Sequence, residues 1–225
     1  MVQINKDALN ETGYCLLTGL LSPSECQSFV NGYDDDQRYR STVAMARHGF
    51  GQGEYRYFSY PLPDRILDLR NSLYPALAEI ANEWTARMGV AIRYPAVHQD
   101  YLKRCHQNGQ ERPTPLILRY GEGDYNCLHQ DLYGEMVFPL QVAILLSRPE
   151  TDFEGGEFIL TEQRARMQSR AEVIPLKQGD AVVFPVNHQP KKGKRGDYRV
   201  TMRHGVSRIR SGQRHALGVI FHDAK

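Results

Sequence analysis

The sequence predicts an α+β protein whose core is mainly β-structure, arranged as a jelly roll or a related two-sheet barrel. Three observations indicate this class. Residues 1–112 carry mostly helical patterns, whereas residues 113–225 carry short strand patterns separated by glycine-containing turns. The second half also lacks segments that would form the crossover helices of a parallel α/β sheet. The chain has 225 residues, so we expect residues 1–112 to be a supporting part of the same domain as the core.

Helices are predicted at two places in the first half. Ser22-Pro-Ser-Glu25 is a capping box with proline at the first helical position, which predicts a helix that begins there, after a strand-like segment at 14–21. Apolar residues recur at spacings of three and four between Ile66 and Ile80, with Asp64 as the expected N-cap. Pro75 lies inside this pattern, so two consecutive helices and one kinked helix are both allowed.

The segment 41–62 lies between these helical patterns and contains three glycines and three tyrosines. This composition is too aromatic for a solvent-exposed linker. We expect the segment either to fold over a site as a lid or to pack as a surface loop. The arginines and tyrosines in or beside it could supply charge and stacking to a substrate, or serve only in packing: Arg38, Arg40, Arg47, Arg56, Tyr55 and Tyr57.

The second half is divided into short strands. Turn signals such as Gly155-Gly156 and Ser211-Gly212 separate apolar or alternating stretches. Eight such strands without intervening helices are typical of a jelly roll. The predicted strands are 116–120, 127–132, 138–146, 157–160, 172–175, 181–185, 198–206 and 214–221.

Composition argues against several classes of protein. Lysine and arginine number 28 and aspartate and glutamate 26, so the net charge of +2 does not indicate a nucleic-acid or membrane partner. The longest aliphatic run, 142–146, is much too short to cross a bilayer. The first residues are polar and mixed in charge, so we expect no secretory signal and a cytoplasmic protein.

A metal site is the clearest chemical signal in the second half. His129-Gln-Asp131 places an imidazole and a carboxylate two residues apart, on the same face of a predicted strand. Such a pair alone is weak evidence, because most His-x-Asp pairs hold no metal. A second histidine from another strand would complete the two-histidine, one-carboxylate set of non-haem Fe(II) oxygenases.

His204 is the preferred second histidine among the eight in the chain. A dicarboxylic co-substrate needs a fixed cation, and Arg214 opens the strand that follows the one His204 closes. We expect these two residues to be neighbours across a ladder of the barrel. His188 with Arg199 is a rival pair, but His188 lies in a segment rich in proline, lysine and glycine, where we expect a loop.

Residues 113–225 resemble the double-stranded β-helix, a cupin-like jelly roll, of the 2-oxoglutarate/Fe(II)-dependent dioxygenases, and most closely their prolyl-hydroxylase-like members. Together, the order and spacing of four motifs carry this resemblance. They are His129-Gln-Asp131, Asp152-Phe-Glu-Gly-Gly-Glu157, Gly179-Asp-Ala-Val-Val-Phe184, and His204-Gly-Val206 with Arg214 ten residues after the histidine. The chain from Gly53-Glu-Tyr-Arg-Tyr-Phe58 to its end also resembles a bacterial family of 2-oxoglutarate/Fe(II) oxygenases.

The resemblance implies a full set of cofactors: Fe(II), 2-oxoglutarate as co-substrate, and O₂. It implies iron held by His129, Asp131 and His204, and a salt bridge from Arg214 to the C5 carboxylate of 2-oxoglutarate. Tyr120 lies where relatives place a tyrosine that contacts the co-substrate, although ordinary core packing is an equal alternative. Asn126 stands where many relatives have a second tyrosine. Since Asp131 keeps the carboxylate that halogenating members lack, the resemblance implies hydroxylation or demethylation.

The substrate is less clear from the sequence. The stretch 191–214 has nine basic residues, among them Arg195, and one acid. It could form a basic rim for an anionic substrate or a solvated charged face.

Three hypotheses follow for the function. The first is an Fe(II)/2-oxoglutarate hydroxylase that acts on a small molecule or a protein side chain. The second is a nucleic-acid or nucleotide demethylase with the same centre. The third is a non-enzymatic, cupin-like binding or sensor module. The sequence indicates no oligomeric state.

Overall fold

The computed structural model describes residues 3–132, 134–194 and 196–225. In these ranges the chain forms four α-helices, two short 3₁₀-helices and fifteen strands. The helices are α1 (Lys6–Thr12), α2 (Pro23–Asn31), α3 (Asp64–Arg87) and α4 (His98–Gln107). The strands are β1 (Cys15–Leu17), β2 (Tyr39–Ala44), β3 (Gly51–Gln52), β4 (Glu54–Phe58), β5 (Leu116–Tyr120), β6 (Tyr125–His129), β7 (Leu140–Leu145), β8 (Phe153–Gly155), β9 (Phe158–Gln163), β10 (Arg170–Ile174), β11 (Ala181–Pro185), β12 (His188–Gly193), β13 (Gly196–Val206), β14 (Ile209–Gly212) and β15 (Arg214–Val219).

The two predicted helices are present, with one change. The capping box at α2 is confirmed, because the Ser22 hydroxyl accepts from the Glu25 N–H and the Glu25 carboxylate accepts from the Ser22 N–H. The apolar ladder forms one continuous helix, α3, which contains Pro75. Asp64 is its first residue and Pro63 its N-cap, so the predicted cap was wrong by one position. In the first turn the Asp64 carboxylate still interacts favourably with the helix dipole.

Two large antiparallel sheets form the predicted β core. The seven-stranded sheet has the order β1-β11-β7-β15-β5-β4-β2, and the six-stranded sheet has the order β10-β9-β13-β6-β3, with β12 also paired to β13. Side chains of β9 and β13 pack on side chains of β11 to form a core between the sheets, for example Phe158, Met202 and Phe184. This is the α+β, β-rich double-stranded β-helix that the sequence predicted, and each of the eight predicted strands overlaps an observed strand.

The segment 41–62 is not the loop that the sequence suggested. It contains most of β2, a 3₁₀-helix at Met45–His48, and strands β3 and β4. β4 pairs with β5, so the hairpin of β2 and β4 extends the seven-stranded sheet. The aromatic residues of the segment are therefore part of a wall of the barrel, and its role as a lid stays a prediction.

Helices α3 and α4 cover the outer face of the seven-stranded sheet. The buried side of α3, which includes Leu73, Leu77 and Trp84, belongs to the same apolar cluster as Leu217 and Phe221 of the chain's last segment. This packing holds β15 and β5 in place, and these strands carry residues of the cavity between the sheets. Among the described helices, none is long and apolar enough to span a membrane.

Candidate metal centre

Three potential metal ligands converge between the sheets. His204 on β13 is the register partner of His129, the last residue of β6. Asp131 lies two residues beyond the end of β6, so the prediction that placed it on the strand was wrong. Asp131 Oδ1 lies 3.4 Å from His129 Nε2, and Asp131 Oδ2 lies 3.5 Å from His204 Nε2. The ligand atoms of the three residues all lie within 4.8 Å of one another.

The two histidine rings are held in fixed orientations. His129 Nδ1 lies 2.7 Å from the Cys127 carbonyl oxygen, a bond that requires the proton on Nδ1 and leaves the Nε2 lone pair free. The His204 ring stacks on Phe158 at an interplanar angle of 15° and lies 4.6 Å from the Phe184 ring, centroid to centroid. Both Nε2 atoms therefore face the Asp131 carboxylate.

The pKa shifts of Asp131 and His204 favour the protonation states that bind a cation. Burial acts to raise the pKa of Asp131, but the adjacent His129 and His204 rings outweigh it and hold that pKa well below its usual range. Burial, together with the neighbouring His129, lowers the pKa of His204. At neutral pH the site thus offers the Asp131 carboxylate and the neutral imidazole of His204, which are the forms that bind metal. Burial acts to lower the pKa of His129, but the Asp131 carboxylate outweighs it and raises that pKa, so a metal ion would have to displace a proton from this ring. Two imidazoles and one carboxylate fit Fe(II) and leave coordination positions open.

Arg214 is a buried cation without a counter-charge. It is only 2% exposed, and in the described part of the chain it forms no ion pair and its Nε has no hydrogen-bond partner. Its Cζ lies 5.6 Å from the Tyr120 ring centroid and 5.9 Å from that of Phe153. The nearby carboxylate of Glu157 instead accepts hydrogen bonds from Ser207 and Arg210. Burial lowers the pKa of Arg214, so an anion beside it would relieve an energetic cost.

His204 and Arg214 are not neighbours across a ladder, so that prediction was wrong. His204 belongs to the six-stranded sheet, whereas Arg214 belongs to the seven-stranded sheet and pairs with Tyr120. Between them lies β14, which pairs with β8 in a separate two-stranded sheet. The two residues line one cavity from opposite sheets.

Tyr120 and Asn126 also line this cavity. Asn126 Nδ2 donates to the Tyr120 hydroxyl over 3.4 Å. Burial raises the pKa of Tyr120 to about 12, so its hydroxyl keeps its proton at neutral pH. Tyr120 is fully buried and also packs in an apolar cluster with Phe153 and Ile209. Core packing of Tyr120 is therefore observed, and because the residue also lines the cavity, its contact with the co-substrate stays a prediction.

The cavity has a volume of about 590 Å³. Asp131 is the only acidic side chain among the described residues that line it. Sequence reasoning missed two of its polar residues, Gln141 on β7 and His222 beyond β15. Gln141 interrupts an apolar strand, which is the one local signal that could have identified it.

The rival pair of the sequence analysis, His188 and Arg199, does not line this cavity. His188 is on β12, not in a loop, and pairs with Thr201, while Arg199 donates to the Met88 carbonyl oxygen. The basic stretch is divided among different surroundings: Lys191 donates to the Asn10 and Glu11 carbonyls, and Arg210 pairs with Glu157. Arg195 lies outside the described residues. The described part of the stretch does not form one basic rim.

Comparisons with known proteins agree with this geometry. A family model described as "Oxygenase, catalysing oxidative methylation of damaged DNA" (Oxygenase-NA) matches residues 53–224. Two uncharacterized proteins of Mycobacterium tuberculosis, from strains H37Rv and CDC 1551, are each 52% identical over 191 residues, which cover 84% of this chain and 82% of each relative.

Solved structures share the fold. A prolyl hydroxylase from Trichoplax adhaerens, in complex with a hypoxia inducible factor peptide fragment, has a TM-score of 0.58 at 15% identity, over 98% of this chain and 88% of that one. A 2OG-Fe(II) oxygenase family oxidoreductase from Burkholderia pseudomallei has a TM-score of 0.56 at 17% identity, over 95% and 86%. A Pseudomonas putida prolyl-4-hydroxylase has a TM-score of 0.54 at 13% identity, over 97% of both chains.

The family match makes the chain an enzyme, which decides against the binding or sensor module. Its cofactors are those of the superfamily: Fe(II), 2-oxoglutarate and O₂. By family and by fold, the chain belongs to the Oxygenase-NA family of 2-oxoglutarate/Fe(II)-dependent oxygenases.

Proposed function

We propose that this enzyme hydroxylates an unactivated C–H bond of a small molecule or a protein side chain, with His129, Asp131 and His204 as iron ligands and Arg214 as the anchor for 2-oxoglutarate. One observation carries the proposal. A buried arginine that forms no ion pair with any described residue lines the same cavity as three converging potential ligands. The overall reaction balances as substrate C–H, 2-oxoglutarate and O₂ giving substrate C–OH, succinate and CO₂.

The protein's own residues supply geometry. The bond from His129 Nδ1 to the Cys127 carbonyl fixes which ring nitrogen faces the metal, and stacking on Phe158 fixes the His204 ring. Bound Fe(II), with 2-oxoglutarate and O₂, supplies the oxidant. Because the carboxylate of Asp131 occupies a ligand position, the proposal is hydroxylation and not halogenation.

Arg214 and Tyr120 form the proposed co-substrate subsite. The guanidinium can hold the C5 carboxylate by two parallel hydrogen bonds. The Tyr120 hydroxyl keeps its proton because burial raises its pKa to about 12, so it can donate to the same carboxylate. Asn126 donates to this hydroxyl and orients it. Phe153 and Ile209 pack around the subsite and exclude water.

Nucleobase or nucleotide demethylation is the second candidate, and the family description supports its substrate class because it names damaged DNA. Hydroxylation of an N-methyl group gives an N-hydroxymethyl product, which loses formaldehyde and leaves N–H. This candidate predicts formaldehyde release from methylated DNA and a steep fall in oligonucleotide binding as salt rises. Binding that does not depend on salt, or no binding, would count against it.

The proposed function is tested by measuring succinate formed from 2-oxoglutarate with Fe(II), O₂ and ascorbate. Even without the primary substrate we expect slow, uncoupled turnover in the parent. His204→Ala should abolish it, and Arg214→Lys should retain part of it at raised 2-oxoglutarate concentration. Lys192→Gln, a change on the exposed side of β12, is the matched control and should match the parent. Equal turnover in His204→Ala and the parent would contradict the assignment of the ligands.

A further inference from the structure

The cavity extends well beyond the proposed co-substrate subsite. Arg214 pairs with Tyr120 at one end of the β15–β5 ladder, and Gly218 pairs with Leu116 at the other. Leu116 pairs on its other side with Tyr57 of β4. The two ends are four residues apart along β15, or about 13 Å. Side chains from both ends line the cavity, so a second compound has room at the Tyr57 end.

Arg40 supplies a second cation at that end. It lies at the bulge of β2 beside Ser41, the register partner of Tyr57. Its Nε donates to the Pro113 carbonyl over 2.8 Å, and its Cζ lies 4.3 Å from the Tyr57 ring centroid. These contacts fix the guanidinium, and no hydrogen bond to a described residue occupies its two Nη groups, which can therefore bind an oxyanion. In the described part of the chain, Arg40 has no carboxylate in ion-pair distance.

The surrounding charges do not neutralise Arg40. Arg112 repels it, and the attractive carboxylate of Asp223 is already paired with Arg70 and His106. Lys225, which lines the cavity too, pairs with Glu135. A metal ion would compensate Asp131, so the cavity as a whole is cationic once Fe(II) is bound.

Hydrogen-bond donors accompany Arg40. Gln141 lies two residues beyond Ala143, the partner of Gly218, and therefore further still from Arg214. It is 4% exposed, and its Nε2 has no hydrogen-bond partner among the described residues. His222 Nδ1 accepts from the Phe138 N–H over 3.2 Å, so the neutral ring carries its proton on Nε2. A buried donor without an acceptor is costly unless a ligand supplies one.

We propose that the primary substrate carries an oxyanion, a carboxylate or a phosphate, that the Arg40 guanidinium binds at the end of the cavity opposite Arg214, where Gln141 donates to a further acceptor. This inference rests on the proposed function, because it assigns the free end of the same cavity. The apolar and aromatic walls between the two ends, including Leu116, Leu118 and Tyr57, suit a flat or apolar body that brings a C–H bond to the metal.

The test uses the full chain, loaded anaerobically with Fe(II) and saturating 2-oxoglutarate so that Arg214 is occupied. Calorimetry then measures binding of benzoate, phenyl phosphate and benzamide, a neutral molecule of the same shape as benzoate. We expect at least one of the anions to bind about tenfold or more tightly than benzamide. The stronger of the two anions distinguishes a carboxylate from a phosphate subsite.

Three variants test whether Arg40 is the residue that causes the preference for an anion over benzamide. Arg40→Gln, whose amide can still donate to Pro113, should lose the preference for an anion, and Arg40→Lys should keep part of it. Arg112→Gln removes a neighbouring charge that does not line the cavity, and should change anion affinity less than about threefold. Absence of anion binding in the parent, no preference over benzamide, or an unchanged preference in Arg40→Gln would each overturn the inference.

The visible charge-transfer band of the Fe(II)/2-oxoglutarate complex separates this inference from the proposed function. Its absence in the parent counts against the metal centre, whereas a normal band with failed anion binding counts only against the Arg40 subsite. Calorimetry reads anion binding independently of the band.

Discussion

The polar cluster around Asp223 and the one around Asp131 differ in what surrounds the aspartate. Asp223 and Arg70 are both fully buried and form an ion pair at 3.0 Å. The other Asp223 oxygen accepts from the Tyr60 hydroxyl at 2.7 Å and lies 2.9 Å from His106 Nε2. Protein groups thus compensate this carboxylate completely.

Among the described residues, Asp131 has no arginine or lysine partner. Its partners are two imidazoles at 3.4 and 3.5 Å, and both are themselves potential metal ligands. Arg214, in the same cavity, shows the reverse, a cation without an anion. The comparison distinguishes a structural cluster from the proposed binding site: in the first the protein satisfies its own charges, and in the second the described residues leave a carboxylate and a guanidinium that a metal ion and an anion could compensate.

The largest effect on stability is expected for a substitution that breaks the ion pair between Asp223 and Arg70. Asp223→Asn should lower the free energy of unfolding by about 3 kcal/mol or more, because Arg70 stays buried without its counter-charge. Asp131→Asn in the metal-free protein should cost clearly less, because its partners are two imidazoles and no arginine or lysine is left buried without a counter-charge. Urea unfolding of both variants at pH 8 measures this difference. Similar losses in the two variants would contradict the comparison.

Acid sensitivity should follow from histidines that are buried in the neutral form. Burial, together with repulsion from Arg70, lowers the pKa of His98 to about 4. The unfolded chain therefore binds more protons between about pH 6.5 and 4, and stability should fall as pH drops through that window, by roughly 3 kcal/mol for this group. Below pH 4 its contribution is constant. Urea unfolding as a function of pH should show a shallower slope in His98→Gln, and an unchanged slope would refute this attribution.

Fe(II) should stabilise the folded protein by binding to the cluster of His129, Asp131 and His204, and not to the cluster around Asp223. At a free Fe(II) concentration of 100 times Kd, the parent should gain about 2.7 kcal/mol. His204→Ala should lose this gain, whereas Asp223→Asn should keep it although its starting stability is lower. Anaerobic thermal unfolding with and without Fe(II) provides the measurement. A metal-induced rise of the same size in His204→Ala would place the metal elsewhere.

The smallest expected effect is a rise in KM for 2-oxoglutarate when the side chain of Arg214 is displaced. A Cβ on Gly156 would lie 2.3 Å from Ile209 Cδ1 and 2.9 Å from Arg214 Cδ, at a φ of +61°. Gly156→Ala should therefore displace the guanidinium and raise KM for 2-oxoglutarate about tenfold. Gly89→Ala is the matched control, since its φ is +67° and no heavy atom lies within 4 Å. It carries the same backbone strain, so an equal rise in KM there would exclude a specific role for Gly156.

The sequence could predict the parts of the molecule that local chemistry determines. His129-Gln-Asp131 and His204 could be selected because few residue types bind iron, and Arg214 because a carboxylate needs a cation. The capping box of α2 and the apolar ladder of α3 are likewise local patterns. The structure confirms the elements and places the selected side chains around one cavity.

Contacts between distant residues were not predictable in this way. Arg70 and Asp223 lie 153 positions apart, and nothing near either residue marks the pair. The segment 41–62 forms strands because β5 offers β4 an edge, which depends on pairing and not on its glycine and tyrosine content. The same reason explains why His204 and Arg214 were wrongly expected in one ladder: the chain changes sheets between them.

The most direct test of the central claim is an anaerobic titration of the metal-free protein with Fe(II) and then 2-oxoglutarate, followed by visible absorption. We predict a weak charge-transfer band in the parent, no band in His129→Ala, and a band in Arg214→Ala only at much higher 2-oxoglutarate concentration. A folded, iron-loaded parent without a band, or a band of equal 2-oxoglutarate affinity in Arg214→Ala, would contradict this claim.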